Sequence, residues 1–257
     1  LASSAFNLSR EEILREPNAP LKTSNVALFR KMIIRRCARE PVSRILGLRE
    51  FRSLEFKVVP STLDPRPDSE SLVEAVLGVA QGMPDRLRVL DVGTGTGCLL
   101  LSVLHALPPA LGVGTEIDAD AVVCAMQNAD SLGLSDRVEI LCSKWVEGVV
   151  GPFDIIFSNP PYIPSAEIQT LAPEVALHDP VGALDGGADG LDAYRIMSRL
   201  LKGLLSPSGS VVLEIGTGQG AAVTAIFGAA GFIDKGKRRD LAGRERALTF
   251  SLPTSVQ

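Results

Sequence analysis

Several residue types that carry common enzyme chemistry are scarce in this chain of 257 residues. Only two histidines are present, His105 and His178, and there is no G-x-S-x-G segment, so a Ser–His–Asp hydrolase triad has little to be built from. The four cysteines include no C-x-x-C pair, which argues against a zinc site and indicates reduced thiols. We therefore expect no bound metal and a cytoplasmic protein.

The sequence also lacks long apolar runs and a large excess of charge of either sign. No apolar stretch approaches the roughly 20 residues that a membrane span requires, so no membrane association is expected. The net charge is −4, from 26 Lys and Arg against 30 Asp and Glu, which argues against a surface that binds nucleic acid along its whole extent. The chain opens on Leu1 rather than Met and carries no secretory signal, which indicates a truncated chain.

Apolar runs alternate with helical segments from residue 87 onward. Strands are predicted in "LRVLDVG", "ALGVGTEI", "RVEIL", "FDIIFS" and "GSVVLEIG", and "ALTFSL" is expected to close the sheet. In "GFIDKGKRRD", around Asp234, little resembles a strand end that faces the later glycine-rich segment "EIGTGQG". Strand–helix alternation is typical of an α/β fold with a mostly parallel sheet and right-handed crossovers. Ligands of such sheets bind beyond the carboxyl ends of the strands.

The residues before this alternation have a different pattern. Ser9 and Glu12 have the spacing of a capping box, and an apolar periodicity predicts a helix over 25–39. "EFRSLEFKVV" (50–59) alternates as a short hairpin would. The expected division is a helical domain over 1–46, a hairpin linker over 47–62 and a catalytic domain over 63–257.

Two glycine-rich loops compete for a ligand, "DVGTGTG" (91–97) and "EIGTGQG" (214–220). The first follows the first strand of the sheet, and Glu116 ends the next strand. The second has only about 37 residues after it, too few for the remaining strands of such a domain. We assign 91–97 to the ligand and 214–220 to a tight late turn.

The acids near the first loop limit the choice of ligand. Glu116 is placed to accept both hydroxyls of a ribose, as carboxylates do in dinucleotide sites. NAD(P) stays open on this ground, although "GTGTG" is not a G-x-G-x-x-G in register. Asp91, directly before the glycines, favours a cationic group. S-adenosylmethionine (SAM), which carries a sulfonium and an amino group, fits this pattern better.

The segment "SNPPYI" (158–163) ends the fourth predicted strand, because proline cannot continue a strand ladder. Its Asn159 amide and Pro160 carbonyl offer two acceptors for the hydrogens of one planar NH₂ group, and Tyr162 offers a flat face. An amide nitrogen is a poor nucleophile, so positioning and charge stabilisation are what such a site supplies. The pattern predicts methylation of a planar amino or amide nitrogen without a titratable base.

These stretches together resemble class I SAM-dependent methyltransferases with an N-P-P-Y motif, which have a Rossmann-like, mostly parallel seven-stranded sheet. Four further stretches are similar to the HemK/PrmC family of release-factor glutamine methyltransferases, which also has a small helical N-terminal domain. They are "REPVSRILGLREF" (39–51), "PRPDSE" (65–70), "LAPEVALHDPVGALDGGADGLDAYR" (171–195) and "DLAGRER" (240–246). The resemblance covers about residues 6–251.

The family implies N5-methylation of the glutamine in the GGQ motif of class 1 peptide chain release factors, with SAM as the methyl donor. It implies a release factor as protein partner, a monomer and no stable nucleic-acid binding. By position, the residues that match its SAM site are Asp91, Gly93, Thr94, Gly95, Thr96, Gly97, Glu116, Trp145 and Asn159. Those that match its glutamine pocket are Asn159, Pro160, Pro161 and Tyr162, of which Asn159, Pro160 and Tyr162 are the expected catalytic residues.

Two departures from the family pattern stand out. Lys144 precedes Trp145 where an acid is usual, and Asp64 precedes Pro65 where an apolar residue is usual. A basic cluster over 30–39 is either a solvated helix face or a docking face for an acidic or nucleic-acid partner. Methylation of an exocyclic amino group of DNA or RNA, adenine N6 or guanine N2, therefore stays as the alternative function. A non-catalytic SAM-binding module and a dehydrogenase are weaker alternatives.

Overall fold

A computed structural model describes residues 1–253, so residues 254–257 of the predicted catalytic domain lie outside the described residues. The helices are α1 Ala2–Phe6, α2 Arg10–Arg15, α3 Thr23–Cys37, α4 Val42–Leu46, α5 Glu70–Ala80, α6 Cys98–Ala106, α7 Ala119–Ser131, α8 Pro173–Ala176, α9 Asp192–Leu200 and α10 Gly220–Ala229. The strands are β1 Leu48–Phe51, β2 Leu54–Lys57, β3 Arg88–Val92, β4 Leu111–Glu116, β5 Val138–Cys142, β6 Phe153–Ser158, β7 Leu205–Glu214, β8 Ile233–Arg239 and β9 Glu245–Ser251.

Four helices, α1 to α4, form the start of the chain. The predicted capping box is confirmed, because the Glu12 backbone N–H donates to the Ser9 hydroxyl and the Ser9 N–H donates to the Glu12 carboxylate. Phe6 of α1 packs on Phe29 of α3, with ring centroids 5.1 Å apart. Few residues of these helices are buried, so the helices pack on each other through a small number of apolar contacts.

The predicted hairpin is confirmed and begins two residues earlier than the predicted segment, at Leu48. Arg52 and Ser53 join β1 to β2, both with positive φ (52° and 61°), which is the backbone that a two-residue hairpin of primed type requires. Phe51 and Phe56 are buried in the core beside α5 and α6, so the hairpin is anchored on the sheet domain.

Seven strands form one mixed sheet in the order β5-β4-β3-β6-β7-β9-β8. The five strands from β5 to β7 are parallel, and β9 and β8 are antiparallel to their neighbours. Helices cover both faces, and one buried cluster lies on each side of the sheet. The predicted mostly parallel sheet of seven strands is confirmed. The carboxyl ends of β3, β4 and β6 lie at the same edge of this sheet.

Residues 233–239 form strand β8 at the edge of the sheet, a strand that the sequence pattern did not predict, and Asp234 lies near its start rather than at its end. All seven of its residues are exposed, and four of them are basic, so the strand lacks the apolar alternation that identifies strands in a sequence. Positive charge along an edge strand discourages pairing with another chain. The predicted closing strand, β9, consequently lies inside the sheet between β7 and β8.

Candidate active site

A cavity of about 520 Å³ opens at the carboxyl ends of β3, β4 and β6. This is the edge at which parallel α/β sheets bind ligands. Its lining residues are Ser61, Leu63, Val92, Gly93, Gly95, Thr115, Glu116, Ile117, Asp118, Ser143, Lys144, Trp145, Ser158, Asn159, Pro160, Pro161, Pro180, Gly182, Ala183 and Asp185. The structure therefore gathers the first glycine loop, the acid of the next strand and the N-P-P turn around one cavity.

The first glycine loop curls over the end of β3. Gly93 and Gly95 have φ of +78° and +55°, a region that only glycine adopts without strain. The N–H groups of Gly93 and Thr94 both donate to the Thr115 carbonyl, at 2.9 and 2.8 Å, which fastens the loop to β4. Both glycines line the cavity, so a ligand can approach the backbone closely there.

Glu116 links this loop to the turn after β4. One carboxylate oxygen accepts the Gly95 N–H at 2.9 Å, and the other accepts the N–H groups of Ile117 and Asp118 at 2.7 and 3.1 Å. A carboxylate has about four acceptor positions, so one remains for a ligand. The side chain also lines the cavity, which places a fixed, oriented acceptor beside the glycines.

Asp91, Thr94, Thr96 and Gly97 lie behind this wall, buried and outside the lining of the cavity. Burial raises the pKa of Asp91 to about 7, even though the Thr94 hydroxyl donates to its carboxyl at 2.8 Å. Its Oδ1 atom is buried and has no hydrogen-bond partner among residues 1–253. Asp91 thus supports the loop from behind and is not brought to the cavity surface.

Trp145 reaches the cavity from the turn after β5. Its φ is +57°, a left-handed conformation that is uncommon for a bulky residue and is often found at functional sites. Lys144 lines the same side of the cavity and is exposed. Trp145, predicted at the cofactor site, and Lys144, which departs from the family pattern, therefore both line the cavity.

The N-P-P-Y turn follows β6, the neighbour of β3 in the sheet, and also contributes to the lining. Asn159, Pro160 and Pro161 line the cavity, whereas Tyr162 lies outside the lining and packs into the core behind it. The Asn159 Nδ2 donates to the Ser69 hydroxyl at 3.2 Å. Neither the Asn159 Oδ1 nor the Pro160 carbonyl accepts a hydrogen bond from any described residue. Two acceptors on adjacent residues are thus without an internal partner just after the end of β6.

The second glycine loop supports that turn and does not touch the cavity. Gln219 Nε2 donates to the carbonyls of Tyr162 and Gly190, at 2.9 and 3.2 Å, and its Oε1 accepts the Gly216 N–H at 2.9 Å. No residue of 214–220 belongs to the lining. The loop is a tight turn, as predicted, and in addition it fixes the exit of the N-P-P-Y segment.

A buried ion cluster holds the segments that cover the cavity. Asp179 is fully buried and pairs with Arg44 of α4 at 3.0 Å and with Arg66. Arg44 also donates to the carbonyls of Val59 and Thr62. A buried carboxylate is tolerated when it is paired and hydrogen-bonded in this way. The cluster joins the N-terminal helices to the two loops that carry the lining residues near 61 and 180.

The unusual acid before Pro65 belongs to the same cluster. Asp64 is buried, and its carboxylate lies 3.9 Å from Arg49 and 3.8 Å from Arg66. Its backbone N–H donates to Asp179 at 3.3 Å. Arg49 and Arg66 therefore balance the charge of the buried Asp64 carboxylate, a charge that the usual apolar residue at this position would not bring.

The basic cluster over 30–39 has a structural role that the sequence does not reveal. Arg36 and Arg39 both pair with Glu174 of α8 at 2.7 Å, and Arg35 pairs with Glu40. The hydrogen bonds from Arg36 and Arg39 lower the pKa of Glu174 to about 2. The cluster consequently ties α3 to α8, which precedes the lining residues near 180.

Sequence reasoning missed three polar residues behind the N-P-P-Y turn. Ser69, Glu214 and Arg246 are buried there. Two of them lie in "PRPDSE" and "DLAGRER", which the family resemblance singles out without a role, and Glu214 ends strand β7. Only the long-range packing of β7, β9 and the 65–70 segment brings them together.

Two further structural findings concern the described part of the chain. None of its helices combines the length and apolarity needed to cross a bilayer. No group of three or more His, Cys, Asp or Glu side chains within residues 1–253 is arranged to hold a metal ion.

The sheet order and the loop geometry define a class I SAM-dependent methyltransferase. A family model for the methyltransferase small domain matches residues 70–187, and one for the PrmC N-terminal domain matches residues 1–47. A solved methyltransferase from Pyrococcus furiosus has a similar fold, with a TM-score of 0.58 and 17% identity over 86% of this chain and 96% of that chain.

Closer relatives identify the family. The release factor glutamine methyltransferase of Rhodospirillum rubrum is 45% identical over 96% of this chain and 76% of its own length. That of Agrobacterium fabrum is 42% identical over 97% of this chain and 88% of its own length. The chain belongs to the release factor glutamine methyltransferase family. The fold class and the family predicted from the sequence are both confirmed, whereas the domain boundaries and the roles of individual site residues stay predictions.

Proposed function

We propose that this protein transfers a methyl group from SAM to the side-chain amide nitrogen of the glutamine in the GGQ motif of class 1 peptide chain release factors. One observation carries the proposal: the glycine loop, Glu116 and the N-P-P turn, with its two acceptors that lack an internal partner, all line one cavity. Methyl transfer needs such a juxtaposition, because donor and acceptor must be aligned for in-line attack.

The first wall of the cavity fits SAM by the chemistry of its donor set. Glu116 has one acceptor position left, which suits one hydroxyl of a ribose, Gly93 and Gly95 permit close approach of the backbone, and Trp145 offers an apolar face. Asp91, Thr94, Thr96 and Gly97 would act indirectly, by shaping the loop from behind. When bound, SAM supplies an electrophilic methyl group on a sulfonium.

The second wall fits a primary amide. The Asn159 Oδ1 and the Pro160 carbonyl would each accept one hydrogen of the substrate NH₂, which fixes its plane and its direction of attack. Pro161 and Tyr162 keep the turn rigid. Held in this way, the substrate nitrogen would be aligned to accept the methyl group that SAM supplies, with S-adenosylhomocysteine as the leaving group and the proton lost by the nitrogen passing to water. The two carbonyl dipoles stabilise the positive charge that develops on the amide.

The identity of the relatives supports a release factor as the substrate. The proposal includes a cytoplasmic location and a monomer. Methylation of DNA or RNA draws less support, because Arg36 and Arg39 of the basic cluster are paired with Glu174 within the chain. Those two arginines are therefore not presented as free cations to a phosphate backbone.

A methyl-transfer assay with radiolabelled SAM tests the proposal. Release factor carrying GGQ, the same factor with GGQ changed to GGA, and a pool of total RNA and DNA are incubated with the enzyme side by side. Label on the GGQ factor alone is expected. Label on nucleic acid alone would mean that the N-P-P-Y chemistry is correct and the substrate wrong.

A further inference from the structure

Two hydroxyl groups of cavity-lining residues have no hydrogen-bond partner among residues 1–253. They are the Oγ atom of Ser61 and the Oγ1 atom of Thr115, and both atoms are buried. A buried hydroxyl without a partner is costly, because it has given up its hydrogen bonds to water. Thr115 lies on β4, whereas Ser61 lies on the loop between β2 and α5. A ligand in the cavity is a partner that could satisfy both groups.

The loop that carries Ser61 is held in place from the N-terminal helices. Arg44 of α4 donates to the carbonyls of Val59 and Thr62, which lie on either side of Ser61. Within the loop, the Val59 N–H donates to the Thr62 hydroxyl at 3.2 Å, and this hydroxyl donates to the Val59 carbonyl at 2.9 Å. One guanidinium group therefore fixes both ends of the turn on which Ser61 lies.

The same guanidinium group fixes a second segment of the cavity lining. Its Nη2 atom lies 3.0 Å from Asp179 Oδ1, and the two side chains have exposed fractions of 5% and 0%. Pro180, which directly follows Asp179, lines the cavity. Asp179 Oδ1 also accepts the Asp64 N–H at 3.3 Å, which ties the two segments to each other. Arg44 thus sets the spacing between two parts of the lining that are far apart in the sequence.

Arg44 itself lies outside the lining of the cavity. It belongs to residues 1–47, which the family model for the PrmC N-terminal domain matches. A guanidinium group presents five N–H donors in a planar fork, so it can bind two carbonyls and one carboxylate at once. A lysine ammonium is a compact point charge and lacks this fork. The arrangement fits a side chain that shapes the cavity without touching its contents.

We infer that Arg44 is a positioning residue for the cofactor, which holds Ser61 so that the Ser61 hydroxyl can bind SAM. The inference rests on the proposed function for the identity of the ligand. SAM carries a carboxylate, ribose hydroxyls and adenine nitrogens, each of which can accept the hydrogen of a serine hydroxyl. Helix α4 is then part of the cofactor site, in addition to the substrate docking expected of the N-terminal domain.

The test is calorimetric titration of SAM into the full chain without release factor. Ser61→Ala should weaken SAM binding by about 3- to 10-fold, the scale of one lost hydrogen bond. Arg44→Met should weaken it by about 10- to 30-fold, because it releases the Ser61 turn and the Pro180 segment together. The fluorescence of Trp145 gives a second readout, since this single tryptophan lines the same cavity.

Double variants show whether Arg44 acts through Ser61. In the Arg44→Met background, Ser61→Ala should cause no further loss of SAM affinity, because the hydroxyl is already displaced. Arg44→Lys keeps the charge opposite Asp179 and serves the same purpose if Arg44→Met does not fold. It should bind SAM about as weakly as Ser61→Ala does. Losses that simply add in the double variants would overturn the positioning role.

Arg137→Met is the matched control for the arginine variants. Arg137 also ties a loop together, through four backbone carbonyls between Leu104 and Ala110, but it lies outside the cavity lining. It should lower the melting temperature and leave SAM affinity unchanged. Ser208→Ala, at an exposed position, is the control for the serine variant and should bind SAM as the wild type does. Equal losses of SAM affinity in Arg137→Met and Arg44→Met would report only a structural effect and would overturn the inference.

The outcomes separate this inference from the proposed function. Wild-type SAM affinity in Ser61→Ala and in the Arg44 variants would overturn the inference, whether or not the wild-type enzyme labels release factor. If the variants lose SAM affinity as expected but the wild type labels only nucleic acid, the proposed substrate is wrong and the inference is supported. No SAM binding by the wild type would overturn both.

Discussion

The two glycine loops of this protein are similar in sequence but differ in their structural role. Each follows a strand of the sheet, "DVGTGTG" after β3 and "EIGTGQG" after β7. Each begins with a buried acid, Asp91 or Glu214, and burial raises the pKa of both to about 7. Yet the first loop lines the cavity and the second lies wholly outside its lining.

The difference comes from backbone shape and from the neighbouring strand. The first loop has three glycines with positive φ and borders a strand that ends in Glu116, so its backbone faces open space and an acceptor. The second has one glycine with positive φ, Gly218, and its Gln219 bonds the carbonyl of Tyr162. Glycine content alone therefore does not identify a ligand loop, and the side chains at its rim decide which task it performs.

The largest effect is expected at Asn159, which lines the same cavity as the first loop and belongs to the turn that the second loop holds. Asn159→Ala removes one of the two acceptors for the substrate amide and should lower kcat/KM for release factor by about 100- to 1,000-fold, the scale of a lost charge-stabilising group. SAM affinity, measured by calorimetry, should be retained. Asn18→Ala, at an exposed position, is the control and should be fully active. Near wild-type transfer by Asn159→Ala would remove Asn159 from its role.

The second loop should affect catalysis without affecting the cofactor. Gln219→Ala leaves the carbonyls of Tyr162 and Gly190 without their bonds and loosens the exit of the N-P-P-Y turn. We expect kcat to fall about tenfold, less than for a group at the reacting centre. Urea unfolding should show a loss of about 1–3 kcal/mol in stability. Gln127→Ala, which loses one exposed hydrogen bond to Lys57, should change neither value. An unchanged kcat in Gln219→Ala would contradict the supporting role.

The two buried acids should give the folded protein a recognisable pH dependence. Asp91 and Glu214 titrate near pH 7 when folded, but near 3.8 and 4.5 when unfolded. Between about pH 4.5 and 7 the folded state therefore holds protons that the unfolded state has released. The free energy of unfolding should fall as pH rises through this window, by up to about 1.4 kcal/mol per pH unit and proton, and level off above it. Asp91→Asn and Glu214→Gln should each reduce the slope in urea titrations. A slope unchanged in both variants would contradict the assignment.

The smallest effect is expected at the contact between α3 and α8. Glu174→Gln removes the charge that Arg36 and Arg39 share, at a partly exposed position where ion pairs contribute little. The melting temperature should fall slightly at low salt and not at all at high salt, because salt screens such pairs. Glu167→Gln, an exposed neighbour on the same segment, is the matched control. A large drop that persists at high salt would mean that this contact is a main support of the fold.

The features that could be predicted from the sequence are those with a local pattern. The parallel strands carry apolar runs, the hairpin alternates, and Ser9 and Glu12 satisfy each other three residues apart. The first glycine loop and Glu116 are likewise identified by their positions at consecutive strand ends.

The features that could not be predicted depend on long-range packing or on an absent pattern. Strand β8 has solvent-exposed residues throughout, so it shows no apolar periodicity. Arg36 meets Glu174 across 138 positions of sequence, and Ser69 meets Asn159 across 90. No spacing rule connects residues so far apart. The family resemblance marks "PRPDSE" and "DLAGRER", but only the structure places them behind the N-P-P-Y turn.

The division of labour between the loops is tested most directly by calorimetric titration of SAM into Glu116→Gln and Gln219→Ala side by side. Loss of a charge-assisted acceptor should weaken SAM binding by about 10- to 100-fold in Glu116→Gln. Gln219→Ala should bind SAM as the wild type does. Weakened binding in Gln219→Ala together with wild-type binding in Glu116→Gln would contradict the assignment of the cofactor to the first loop.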